Sequence, residues 1–229
     1  MENRNKERKL VIISPKLSFG GAERIVSWLS LHAPEHIAVY IILFKKSVTY
    51  PIKHPIYHIG DYNNIFEAFK VFIRFNRLLS KTRPDAILLS PTGQGLTFTL
   101  FNKCKGRFYA IHNYFFEPYM KRPHHKIFFR FLVSLATKLL IKKVIVVSYP
   151  IKYKLIKKFG LPDWKIEVIH NPVDVSLINK LASEELDEKY DYFFSNPVII
   201  NIGRMVHQKG QWYLIRLFKK VNEALPKTS

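Results

Sequence analysis

The sequence predicts an open, doubly wound α/β fold built on a parallel sheet. Short β-branched runs alternate with longer segments of helical period along most of the chain, the pattern of strands joined by crossover helices. With 229 residues and 48% apolar composition there is material for a packed core, as one large domain or as one domain and part of another. Helix stop signals fall between the periodic segments, at Arg83-Pro84 and at Gly160.

In order, Leu10 to Ile13 reads as a buried strand, Ala22 to Leu31 as a helix, Ile37 to Phe44 as a second strand and Ile56 to Ile59 as a short third. A helix follows in which Ile65, Phe69, Phe72 and Leu79 are expected to share an apolar face, opposite a stripe of Lys70, Arg74, Arg77 and Lys81. Strand Asp85 to Leu89, a short helix near Leu96 to Phe101 and strand Phe108 to His112 come next. A long basic helix is expected from about Pro123 to Ile141, with Arg122, Lys126 and Arg130 on one side and Phe128, Phe131, Leu132, Leu135 and Leu139 on another. Strand Val144 to Val147, a helix from Pro150 to Phe159 and strand Lys165 to Ile169 complete the series.

Near Asn171-Pro172-Val173-Asp174 the pattern changes. Residues 1–174 therefore read as one domain and the polar, acidic stretch 175–196 as a linker. Residues 197–229, with strand Pro197 to Ile202 and helix Gly210 to Ala224, read as the start of a second domain.

A net charge of +20 points to anionic partners: phosphorylated substrates, an anionic lipid surface or a nucleic acid. Nucleic acid is the least supported, since there is no helix-turn-helix, zinc finger or aromatic strand platform. A single cysteine, Cys104, excludes an intramolecular disulfide and a multi-thiolate metal site, and the nine histidines lack metal-ligand spacing. No apolar run approaches the roughly 20 residues of a membrane span, and Leu10 to Ile13 is too short for a signal-peptide core. A cytoplasmic location, peripheral on the inner face of the membrane, is expected.

Three groups of residues suggest a site. Gly20, Gly21, Glu23 and Arg24 lie between the first strand and first helix, where backbone amides and the helix N-terminus suit a phosphate or sugar hydroxyls; the alternative is an ordinary glycine turn with Glu23 complementing the helix dipole. His112, Ser90 and Ser148 follow three strands at the edge where open α/β sheets bind ligands, with Asn171 after a fourth. His112 could hydrogen-bond a sugar hydroxyl or a developing charge, while the serines could be plain caps. Arg204 and Lys209, in a loop bounded by Gly203 and Gly210, could clamp a diphosphate or simply be solvated cations.

In this order, Gly20-Gly21-Ala22-Glu23-Arg24, Arg83-Pro84-Asp85-Ala86-Ile87, Ala110-Ile111-His112, Val144 to Ser148, Val168 to Asp174, and Asn201-Ile202-Gly203-Arg204 to Gln208-Lys209-Gly210 resemble glycosyltransferase family 4. Such enzymes have the GT-B fold, two Rossmann-like domains facing across a cleft. The resemblance implies an acceptor-side first domain with its glycine loop at Gly20 and Gly21, a catalytic cleft histidine at His112, and donor diphosphate contacts at Arg204, Lys209 and Gly203. It further implies transfer with retention from a UDP- or GDP-sugar to a lipid-linked or saccharide acceptor, without a cofactor or metal, in surface polysaccharide or lipopolysaccharide assembly.

The family's paired glutamates, eight positions apart in the second domain, would lie past Ser229. The chain is therefore expected to act as a truncated or split enzyme with little activity alone, a separate chain supplying the donor half being a further partner. The alternatives are a non-catalytic remnant that binds a membrane or a partner, and a general polyanion binder.

Overall fold

The computed structural model describes residues 7–90, 98–99, 104, 106–112, 134–135, 137–195 and 197–225. The chain divides into two compact units, Met1–Pro172 and Val173–Ser229.

The first unit is a seven-stranded parallel sheet. Its strands are β1 (Arg8–Ser14), β2 (Ile37–Leu43), β3 (Ile56–His58), β4 (Ala86–Leu89), β5 (Gly106–Ile111), β6 (Lys143–Val146) and β7 (Ile166–Val168), in the order β3-β2-β1-β4-β5-β6-β7. The order reverses between β1 and β4, so the fold is the doubly wound, Rossmann-like α/β class that the alternation predicts. Because both sheet faces are covered near its centre, the middle strands read as unbroken apolar runs: Val11, Ile12 and Ile13 of β1 and Ile41, Ile42 and Leu43 of β2 are all fully buried.

Helix α1 (Gly21–Leu31) packs on one face, where Val26 joins Ile12, Leu17, Val39, Ile41 and Leu43. Helices α2 (Ile65–Thr82) and α3 (Tyr149–Phe159) serve the other face, where Val71, Phe75, Leu79, Leu155 and Phe159 meet Val11, Ile13, Ile87, Leu89, Ile111, Val144 and Val146. A reciprocal cap starts α2: Asn64 Oδ1 accepts the Glu67 amide proton at 2.9 Å, and Glu67 Oε2 accepts that of Asn63 at 2.9 Å. It stops at Arg83, left-handed at φ 46°, just before Pro84.

The inward face of α2 differs from expectation. Phe72 and Leu79 turn toward the core, but Ile65 and Phe69 are exposed. The sheet contacts an arc centred on Val71, Phe75 and Leu79, and a residue every 100° leaves Ile65 and Phe69 outside it.

Gly106 opens β5 opposite Ala86 of β4, and a Cβ there would lie 2.6 Å from the Asp85 carbonyl oxygen. Since that oxygen belongs to the backbone, neither partner can swing aside. Gly106→Ala is expected to cost about 1–3 kcal/mol, seen as a lower urea midpoint with an unchanged slope.

Most of the expected long basic helix, including Arg122, Lys126, Phe128, Arg130, Phe131 and Leu132, lies outside the described residues, as does most of the short helix near residues 96–101. Residues 134–135 and 137–140 are helical.

In the second unit, the stretch expected as a linker carries helices α4 (Val175–Ala182) and α5 (Asp191–Phe194), with a 3₁₀ turn at Glu188–Tyr190 between them. Asp174 caps α4 by accepting the Leu177 amide proton at 2.9 Å. Helix α6 (Gln211–Ala224) ends the described chain, close to where its period places it. Pro197 to Ile202 is not a strand: its described residues have no ladder partner. An apolar run becomes a strand only when another strand takes its amides and carbonyls, which a local reading cannot supply. Among the described residues from Val173 onward, none is buried.

Candidate functional site

All strands of the first unit run parallel, so their C-terminal ends, and the residues after them, share one edge. Four elements converge there: the N-terminus of α1, Ser90 after β4, His112 after β5 and Asn171 beyond β7.

The turn into α1 is built by Tyr50, whose hydroxyl lies 3.3 Å from both the amide nitrogen and the carbonyl oxygen of Gly20. Gly20 is extended and its carbonyl accepts the Arg24 amide proton at 3.0 Å, opening the helix. A Cβ at Gly20 would strike the Glu23 carboxylate, whereas nothing lies within 4 Å of where a Cβ on Gly21 would be. Gly21 thus leaves open space at a helix N-terminus that no side chain caps. The Arg24 side chain is exposed.

Beside this turn lies a cavity of about 370 Å³ on the α1 face of the sheet. Trp28 and Leu29 of α1 form one wall, and Leu88, Ala110 and Ile145 of β4, β5 and β6 form the floor. One part of its lining is polar: Ser90, His112, His170 and Asn171. Ser90 is only 2% exposed, and among the described residues its Oγ has no hydrogen-bond partner; nor does the buried Nδ1 of His112. Two buried polar atoms without such partners are costly in isolation, and each keeps the capacity to hydrogen-bond a polar group of a ligand that reaches it.

Burial holds the His112 imidazole below its ordinary pKa of 6.5, against a hydrogen bond that the ring donates to the Asn171 side chain and the attraction of Glu23, which both favour the proton. The ring is therefore neutral near pH 7. With Asn171 on the ring, the free Nδ1 can face a ligand. Glu23 also ties the glycine turn electrostatically to His112, so these predicted residues occupy one place. His170 is held by its Nδ1, 3.0 Å from the Val147 carbonyl oxygen.

Ser148 stands apart. It precedes α3, its carbonyl accepts the Lys152 amide proton at 3.2 Å, and it does not line the cavity. Gly203, Arg204 and Lys209 belong to the second unit and are exposed. Their loop is a compact turn: the Arg204 carbonyl accepts from the Val206 amide at 2.8 Å and from Gln211 Nε2 at 2.8 Å, and Gly210 is left-handed at φ 66°. Both cations thus project from one short, hydrogen-bonded loop.

Trp28, Tyr50 and His170 escape a reading of the sequence. Trp28 sits at a helical apolar position, Tyr50 lies 30 residues from the glycine it pins, and His170 is masked by the Asn171-Pro172 turn signal beside it. Among the described residues, no group of His, Cys, Asp and Glu could hold a metal ion, and no helix is long and apolar enough to cross a membrane.

A doubly wound sheet with a glycine turn, a strand-end histidine and a polar-ended cavity at its ligand edge defines a Rossmann-like half of the GT-B type. Residues 19–177 match the model of glycosyltransferase family 4, and the chain belongs to that family. It is 24% identical over 248 residues to an uncharacterized glycosyltransferase of Methanocaldococcus jannaschii, covering 97% of this chain and 57% of that protein. Its fold is similar to that of Anabaena HepE, crystallised with UDP and glucose, at a TM-score of 0.68 and 15% identity over 97% of this chain and 60% of HepE. Sucrose-phosphate synthase from Thermosynechococcus elongatus is similar at a TM-score of 0.68 and 14% identity, covering 96% of this chain and 61% of the synthase. The chain thus spans less than two thirds of the length of each.

Proposed function

We propose that this chain forms the acceptor side of a retaining hexosyltransferase. The enzyme moves a sugar from a UDP- or GDP-sugar to a lipid-linked or saccharide acceptor in cell-surface polysaccharide or lipopolysaccharide synthesis, at the cytoplasmic face of the membrane. The observation that carries this reading is the pair of polar atoms without partners among the described residues, Ser90 Oγ and His112 Nδ1, on two residues that line the cavity beside the α1 N-terminus.

An acceptor hydroxyl there would donate to the neutral His112 ring, and the apolar walls would take an adjoining ring face or alkyl segment. Arg204 and Lys209 would meet the donor diphosphate and stabilise its departure as a leaving group. HepE, a similar structure, was crystallised with UDP and glucose, which supports a nucleotide sugar as donor.

Leaving-group stabilisation needs donors held in place, and these two cations are exposed on a unit in which no described residue is buried. The 229-residue chain alone is therefore expected to turn over a panel of UDP- and GDP-sugars at least about 100-fold below the ordinary enzyme range of about 10 s⁻¹. Release of nucleoside diphosphate in the presence of membrane lipid extract is the measurement. Ordinary turnover would show a complete donor site and sink the division of labour proposed here.

A further inference from the structure

Helix α2 has two apolar faces, and the fold covers one. Val71, Phe75 and Leu79 are buried in the core, while Phe66, Phe69 and Ile73, spaced by three and four residues, lie on the opposite side. These three are 79%, 64% and 42% exposed, and Ile65, at 76%, extends the strip into the first turn. Lys70, Arg77 and Lys81, all exposed, border it. Arg74 is set apart, its Nη1 lying 3.4 Å from the Ile59 carbonyl oxygen. The helix has one acid, Glu67, whose carboxylate is occupied by the Asn63 amide.

Aromatic and branched side chains bordered by cations that have no ion-pair partner among the described residues suit the boundary of an anionic bilayer. The rings enter the head-group region, and the ammonium and guanidinium groups meet lipid phosphates. A protein groove could also take the apolar strip, but the cationic border and a net charge of +20 favour an anionic surface. The topology supplies the location. The chain leaves β3 at His58 and starts α2 at Ile65, so the first turns of α2 lie at the strand-end edge that also carries Ser90 and His112.

We infer that the outward face of α2 is a membrane-docking surface, in which Phe66, Phe69 and Ile73 insert into an anionic lipid layer and Lys70, Arg77 and Lys81 hold its phosphates. This rests on the membrane-surface part of the proposed function and adds the element that makes the contact.

The test is cosedimentation of the whole chain with vesicles of phosphatidylcholine, alone or mixed with phosphatidylglycerol. The wild type is expected on the mixed vesicles only. Phe66→Ser with Phe69→Ser, and separately Lys70→Ser with Arg77→Ser, are each expected to weaken binding at least about tenfold, since each surface cation is worth about fivefold.

The sole cysteine, Cys104, is buried, so a polarity-sensitive dye on Phe69→Cys gives a second readout. Its emission should rise on mixed vesicles, and the same dye on Glu35→Cys, at the opposite sheet edge, should not respond. No vesicle binding by the wild type would overturn both this assignment and the membrane reading. Unchanged binding by both double variants, with a silent dye at position 69, would overturn the assignment alone. Equal binding to both vesicle types would remove the role of the cations and overturn it too. A change of oligomeric state in the Phe66/Phe69 variant, without any effect on vesicles, would assign the strip to a protein contact instead.

Discussion

Phe75→Ala is expected to lower the unfolding free energy by about 3–5 kcal/mol, the usual cost of emptying a buried aromatic site. Phe75 is fully buried, and its ring centroid lies 5.7 Å from that of Phe98. Phe98 in turn meets Phe72 at 5.6 Å, Phe44 at 5.9 Å and Tyr62 at 5.9 Å. Phe75 is thus linked through Phe98 to an aromatic cluster that joins α2 to the end of β2, and its removal leaves a space beside the Phe98 ring. Domains are stable by only about 5–15 kcal/mol, so the variant should sit near the limit of folding. Phe75→Leu, which keeps most of the volume, should cost about 1.5 kcal/mol or less. Phe69→Ala, on the same helix but exposed, should stay within about 0.5 kcal/mol of the wild type. Urea unfolding followed by circular dichroism compares all three. Equal losses at positions 69 and 75 would mean that α2 is rotated from the orientation described.

That comparison also marks where sequence reasoning stops. Buried central strands such as β1 and β2 are legible because a parallel sheet covered on both faces demands continuous apolar runs, and Val11 to Ile13 and Ile41 to Leu43 supply them. The end of α2 is legible because Arg83-Pro84 forbids another turn. The inward face of α2 is not, since Phe66, Phe69 and Ile73 are as apolar as Val71, Phe75 and Leu79, and only the sheet decides between them. Pro197 to Ile202 fails for a related reason: strand formation depends on a distant partner, and composition cannot say whether one exists.

The candidate site follows the same division. His112, Ser90 and Asn171 can be placed together from topology, because a parallel sheet delivers all its strand ends to one edge. Ser148 follows a strand too, yet it serves as the lead-in to α3. Tyr50 and Trp28 act through contacts that no local pattern records.

His112→Ala is expected to lower turnover in the proposed transfer reaction by about 100- to 1,000-fold, the range for losing one well-placed polar group at a reacting centre. The pH dependence separates this role from mere packing. Burial favours the neutral ring, so the folded protein takes up the His112 proton at a lower pH than the unfolded chain, whose histidine titrates near 6.5. As pH falls below that value the unfolded chain is protonated first. Stability therefore declines through the window between the two pKa values and the loss is complete below the folded one. Above about 6.5 both states hold a neutral ring and the penalty vanishes. Activity should accordingly persist below the ordinary histidine range before it falls, since Nδ1 can accept a hydroxyl proton only while the ring is neutral. An NMR titration of the His112 ring should give a midpoint below 6.5, and Asn171→Ala, by removing a hydrogen bond that favours the proton, should lower it further. A His112→Gln enzyme should lack this acid limb while retaining more activity than His112→Ala, because an amide still offers a hydrogen bond in the cavity. If the His112 midpoint lay above 6.5, the neutral-ring role would be wrong, and the cavity would have to act on its ligand through a charged imidazolium.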